Sequence, residues 1–252
     1  MLVVGDYHTH TKYSKFFHGK HTIEQMANAA NSIGLKELAI TDHGPKHMFF
    51  GINKHALQHA RTTVNAINDR NKVKVYLGLE ANLISKDGDI DMRPADAPYV
   101  DFVAVGFHRG TWSKFANIFN VNLCKCKQKD PKQIEINTQA YIRAMQKYSI
   151  AFLTHLQEYI RVDVKRVAEV AAACGTYIEL NNRHFKFTEQ EVKDMLSTNV
   201  QFIVNSDAHK ASAVGEVSRV LKLIDEYGIP KERIVNWDGK QVYLKPYMQI
   251  QK

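Results

Sequence analysis

The chain has 252 residues, 44% of them hydrophobic and 24% charged, with 13 Gly and six Pro, which suits one large buried core and excludes a fibrous or disordered chain. No window approaches the ~18 to 20 apolar residues of a membrane span, and the opening MLVVGDYHTH lacks the basic start of a signal peptide, so a cytoplasmic protein without a membrane partner is expected. Lys and Arg exceed Asp and Glu by 34 to 26, and this balance of +8 favours an anionic partner such as a phosphorylated metabolite or nucleic acid, between which charge alone does not choose.

In chain order, short β-branched runs alternate with amphipathic helices, the pattern of βα units on a parallel sheet. VVGDY (3–7) is the first strand, and Thr22 with Gln25 forms a capping-box pair for a helix closed by Gly34. ELAIT (37–41) is the second strand; a helix carrying His55 and His59 separates it from VYLGL (75–79), and DFVAVG (101–106) is the fourth. The stretch from about 107 to 130, with Trp112 and the basic run CKCKQKD, is irregular and longer than an ordinary connection. Asp130 and Pro131 then read as N-cap and first turn of a helix. IAFLT (150–154), a helix from Asp163 to Gly175, TYIEL (176–180), a capping box at Thr188 and Glu191, and QFIVN (201–205) complete seven strands. A last helix spans about Gly215 to Gly228, before Pro230, and the tail from Asn236 reads as an irregular cap. With no linker or repeat, a single domain over 1–252, capped by about 236–252, is expected.

Polar residues cluster where these strands stop. His8 and His10 follow the first strand, Asp42 and His43 the second, Glu80 the third, His108 the fourth, His155 the fifth, and Asp207 with His209 the seventh. In a parallel barrel all those ends open on one mouth, so residues two hundred positions apart would meet. The i, i+2 spacing of His8/His10 and Asp207/His209 lets both members of each pair reach one site. Imidazole and carboxylate ligands without thiolate suit Zn, Mn or Fe, and their number suits two or three ions with Glu80 and Asp207 as bridges. A lone histidine is usually an ordinary core or surface residue; six strand ends agreeing argue against that for the set. His55 and His59, by contrast, read as a solvated helix face, because no metalloprotease pattern accompanies them. Cys124 and Cys126 have no partner pair, the odd count with Cys174 suits a reducing compartment, and the Lys-rich run 125–132 reads as a soluble loop.

The motifs DYHTHT (6–11), HGK (18–20), AITDHG (39–44), GLEAN (78–82), GFHRG (106–110), TH (154–155), ELNN (179–182) and SDAH (206–209) together resemble the PHP (polymerase and histidinol phosphatase) family, most closely its small stand-alone phosphatases. The resemblance implies an α/β fold, a distorted TIM-like (β/α)7 barrel, and a trinuclear site with three divalent ions. Its nine ligands would be His8, His10, His18, His43, Glu80, His108, His155, Asp207 and His209. One ion would take His8, His10, Glu80 and Asp207; a second His18, His43 and His209; a third Glu80, His108 and His155. His18 lies in a loop, after an apparent insertion of Lys15, Phe16 and Phe17, with His21 as a substitute; and His155-Leu156 stands where relatives tend to read THPG.

The implied activity is that of a metal-dependent phosphoesterase, a phosphatase of the histidinol-phosphatase kind. A metal-bridging hydroxide would attack a small phosphomonoester, with Glu80, Asp207 and His209 as the catalytic residues. Arg109, Arg183 and Lys210, each beside a strand-end residue, are candidate phosphate contacts, and Asp6 and Asp42 candidate orienters of imidazole rings. A proofreading-like phosphodiesterase acting on nucleotides or single-stranded nucleic acid is the alternative. An amidohydrolase would not need His18, His43, Glu80 or His209, and a non-catalytic metal-binding module would tend to have lost some ligands.

Overall fold

The computed structural model describes residues 3–70, 72–112 and 130–250, and they form an α/β barrel. Seven strands lie parallel in chain order: β1 (Gly5–Asp6), β2 (Glu37–Ile40), β3 (Lys74–Asn82), β4 (Phe102–Gly106), β5 (Phe152–Leu153), β6 (Tyr177–Asn181) and β7 (Phe202–Asn205). Six α-helices are described: α1 (Ile23–Ser32), α2 (Lys54–Asn68), α3 (Pro131–Lys147), α4 (Val164–Cys174), α5 (Glu189–Leu196) and α6 (Ser218–Glu226). Their starts follow the capping chemistry. Thr22 with Gln25 and Thr188 with Glu191 form reciprocal capping boxes, Asp130 and Asp163 accept the first free N–H groups, and Gly175 ends α4 at φ 63. The basic run CKCKQKD and both its cysteines fall on 113–129, outside the described residues, apart from Asp130.

Two expected strand boundaries move for a physical reason. β1 keeps only two residues as a strand, because Val3 bridges back to Trp237 and Val4 N–H donates to Asn236. β3 is longer than expected: after its pairing with β2 stops at Leu77 it continues beside β4 from Gly78 to Asn82. Glu80 is therefore inside the strand, two residues short of its end.

Each helix turns one apolar stripe to the sheet, Ile23, Met26, Ala27 and Ala30 on α1 and Leu57, Ala60, Val64 and Ile67 on α2, the i, i+3, i+4, i+7 spacing of a helix face. A separate cluster, including Tyr7, Ala39, Phe102, Phe152 and Ile203, plugs the inside of the barrel. Phe102 fits there because its register partner is Gly78, where a Cβ would come within 2.5 Å of the ring. Residues 236–250 carry no helix or strand and pass over the end opposite the histidines, where Val242 joins the plug and Gln249 bridges to Tyr148.

β1 and β7 do not pair as strands. The seam between them is closed by a Thr9–Ala208 bridge, by His10 N–H donating to the Ala208 carbonyl at 2.8 Å, by Tyr7 N–H donating to the Asn205 side chain at 2.9 Å, and by the Ser206 hydroxyl and N–H donating to Asp6.

Candidate metal centre

At the C-terminal mouth the nine expected ligands come together. His8, His10, His43, Glu80, His108, His155 and Asp207 are buried, and His18 and His209 are half-buried at the rim. Ring nitrogens face each other in pairs: His8 and His10 Nε2 are 3.1 Å apart, His108 and His155 Nε2 3.1 Å, His18 and His43 Nε2 3.0 Å, and His18 and His209 Nε2 2.7 Å. Two residues are held there by unusual backbone, His155 at φ 28 and Asp207 at φ 57, left-handed conformations that non-glycine residues rarely adopt.

The donor set fits divalent metal. His43 Nδ1 and Glu80 Oε2 lie 2.9 Å apart without the alignment a hydrogen bond needs, and both atoms, like Asp207 Oδ1, are buried without a hydrogen-bond partner. Unpartnered carboxylate oxygens and an imidazole nitrogen at a common point are costly without a cation. Four groups of three residues have ligand atoms within 4.8 Å of one another: His10, His18 and His43; His8, Glu80 and His155; His8, His10 and Asp207; and His43, Glu80 and His108. Glu80 and Asp207 both take part, and Glu80 joins two groups.

Electrostatics prepare the same atoms. Burial works against the Glu80 carboxylate, yet His108, His8 and His43 hold it well below the ordinary carboxylate range; Asp207 is held low in the same way, chiefly by His8 and His10. Burial and the neighbouring His10 push His18 down to about 4 and His209 to about 2, and burial also lowers His43 and His108, so these rings are neutral, the form that binds metal. His8 and His155 are the exceptions: burial opposes their charge, but Glu179, Glu80 and Asp207 raise both above the usual value, His8 well above it. A dication would satisfy those three carboxylates in place of a proton.

The sequence reading missed the groups that aim the rings. Glu179 Oε1 sits 2.7 Å from His8 Nδ1, and its Oε2 accepts the His155 N–H at 2.8 Å; Asn205 and Asn181 each donate to it at 2.9 Å. Asn82 Oδ1 lies 2.7 Å from His108 Nδ1, with the amide pinned by Asp91, which accepts from its Nδ2 at 2.6 Å. Each contact holds a proton on Nδ1 and leaves Nε2 for the cavity. Glu179 lies within β6 rather than beyond it, so the strand-end rule passed over it, although ELNN contained it.

Neither of the two aspartates proposed as orienters hydrogen-bonds to a ring directly. Asp42 accepts from Thr11 and Ser14, and reaches His10 only through Ser14 Oγ, 3.5 Å from the ring. Asp6 accepts from Ser206 and Gly215 across the seam. His21 stays outside the cluster, its Nδ1 accepting the Ala211 N–H, while His18 stacks on Phe50 at 4.0 Å. His55 and His59 lie exposed on α2.

Above the ligands is a cavity of about 250 Å³, whose walls include Arg109, Arg183, Tyr159, His47 and His184. Arg109 lies 5.4 Å over the Tyr159 ring, and Arg183 Nη1 reaches the Asp207 carbonyl at 3.3 Å. Lys210 does not line this cavity but the one beside it. His47 and His184 come from the loops after β2 and β6; His184, three residues past Asn181, obeys the same strand-end rule that located the ligands.

Comparison with known proteins agrees with this geometry. The family model described as PHP domain matches residues 6–229. A protein of Acetivibrio thermocellus named "Probable phosphatase" is 30% identical over 244 residues, spanning 94% of this chain and 92% of its own length. One of the same name from Shewanella sediminis is 28% identical over 250 residues, with 94% and 90% covered. The fold is similar to that of histidinol phosphate phosphatase from Lactococcus lactis, solved with zinc, L-histidinol and phosphate: TM-score 0.60 at 16% identity, over 91% of this chain and 95% of that one.

Proposed function

Because the chain belongs to the PHP domain family and is a phosphoric ester hydrolase, we propose that it hydrolyses a small phosphomonoester at the histidine-lined mouth, using up to three divalent ions held by His8, His10, His18, His43, Glu80, His108, His155, Asp207 and His209. One observation carries this reading: facing Nε2 atoms and unpartnered Glu80 and Asp207 oxygens at the floor of a cavity whose rim is cationic. Bound there, the metal supplies Lewis-acid activation of water and neutralises charge on the phosphate oxygens.

The chain's own residues do the rest. Glu80 and Asp207 stay ionised and balance the cations, and His209 remains neutral at the rim. Arg109 and Arg183 turn the phosphate toward the floor through charge-assisted hydrogen bonds. The Tyr159 phenol, pushed up to about 12 chiefly by burial, keeps its proton beside Arg109. Water adds to phosphorus, the P–O ester bond breaks, and inorganic phosphate and an alcohol leave; no side chain needs to become phosphorylated. Lys210 lines the neighbouring cavity instead.

The test uses protein purified without chelator. Two to three equivalents of divalent metal are expected, with hydrolysis of p-nitrophenyl phosphate and of at least one natural monoester, lost on chelation and restored by Mn²⁺ or Zn²⁺. One equivalent or fewer after reconstitution overturns the trinuclear assignment. Cleavage of bis(p-nitrophenyl) phosphate or single-stranded DNA in preference to monoesters would instead support the phosphodiesterase reading.

A further inference from the structure

A second cavity, of about 450 Å³, opens beside the metal centre. The two are continuous, since His18, Arg183, Asp207 and His209 line both. Its remaining walls are of a different kind: Lys20, Lys210, Phe17 and Ala213. Neither lysine ammonium is paired with a carboxylate among the described residues. The one carboxylate on this wall, Asp207, is already surrounded by His8, His10, Arg183 and His209. Three cations thus face a space that holds no free negative charge.

The lysines are held in place by the backbone. Lys20 N–H donates to the His209 carbonyl at 3.0 Å, and Ala211 N–H donates to His21 Nδ1 at 3.2 Å, so the loop after β1 is fixed to the loop after β7 with one lysine on each. Phe17 stands over the same space, 92% exposed, on left-handed backbone at φ 61. An apolar ring held outward in a strained conformation offers a surface to something other than the core.

We propose that this annex binds a second anionic group of the substrate, a phosphate or carboxylate set apart from the scissile phosphate, with Lys20 and Lys210 as its contacts and Phe17 against the spacer. The inference rests on the phosphatase reading for what occupies the first cavity. It assigns Lys210 to substrate selection rather than to the reacting phosphate. Arg183, shared by both cavities, lies between the two anions.

The experiment is calorimetric binding of α,ω-alkane bisphosphonates of increasing chain length to the metal-loaded protein, each compared with the monophosphonate of equal length. The wild type should bind the best-fitting bisphosphonate roughly 10- to 100-fold more tightly than its monophosphonate, and the double variant Lys20→Ala/Lys210→Ala should reduce that ratio to below about 3-fold. Phosphonocarboxylates of the same span identify which anion the annex prefers. A wild-type ratio near unity at every length, or a ratio that survives in the double variant, overturns the annex. The probes are not turned over, so absence of phosphatase activity would count against the proposed function alone.

Discussion

The barrel interior has two layers, and the same strands build both. Along β3 the inward positions run Gly78, Glu80, Asn82; along β6 Tyr177, Glu179, Asn181; and along β7 Ile203, then Asn205. The lower layer is filled by shape, Phe102 over Gly78 and Phe152 against Phe102 at 5.9 Å. The upper layer is filled by charge, and three of its atoms lack hydrogen-bond partners: His43 Nδ1, Glu80 Oε2 and Asp207 Oδ1. A step of two residues exchanges packing for coordination on one backbone ladder. The lower layer can be complete without a ligand, whereas the upper layer is complete only with one.

This contrast can be broken most severely at Glu80. Glu80→Gln removes the charge shared by two ligand groups; it should lose at least one ion and lower kcat by roughly 1000-fold or more, checked by elemental analysis and p-nitrophenyl phosphate turnover. Full metal occupancy would show that Glu80 is not a bridge. Phe102→Ala attacks the other layer: urea unfolding should report a loss of about 3–5 kcal/mol while metal stoichiometry is kept. Should metal be lost at the same time, the layers are not separable.

Glu179→Gln sharpens the boundary, because Glu179 stands between plug and ligands. It leaves the shape intact but weakens the hold on His8 Nδ1, and metal affinity measured by competition with a chelator should fall roughly 10- to 100-fold. The smallest effect belongs to His47, which stacks on Phe50 and is pushed from 6.5 to about 3 by burial and then by His108 and His18. Its folded-state value is depressed, so its contribution to stability is full above about 6.5 and is lost as pH falls toward 3. In metal-free protein the stability gap between wild type and His47→Leu should therefore move against the wild type by on the order of 2 kcal/mol between pH 7 and about 4.5. Parallel pH profiles for the two proteins would refute it.

Much of this was legible in residue order because the governing physics is local. Capping boxes at Thr22 and Thr188 need only four consecutive residues, and seven β-branched runs, six of them with candidate ligands at their polar ends, announce a parallel barrel with its site at one mouth. The same local rule failed where position depends on register. Glu80 was reached although β3 runs two residues past it, whereas nothing within β6 alone shows that Glu179 faces His8 across the barrel. Asp6 and Asp42 looked like orienters because they flank ligands in sequence, but nothing local shows that Ser206 and Gly215 take up Asp6, or Thr11 and Ser14 take up Asp42. The ligand groups overlap: His8, His10 and Asp207 lie together as the sequence reading expects, while His10 also lies with His18 and His43, and His8 with Glu80 and His155.

The seam between β1 and β7 would give a bound metal ion a role in the lifetime of the chain. His8 and His10 come from one side of that seam and Asp207 from the other, and the three form one ligand group. An ion held there clasps the first strand of the barrel to the last, across a junction otherwise closed by one bridge and a few hydrogen bonds. Ligand that binds only the closed form stabilises it by mass action, by about 4 kcal/mol when present at a thousand times its dissociation constant. With metal bound there, the barrel would open to proteases less often, so metal depletion would shorten the life of the chain as well as stop its turnover.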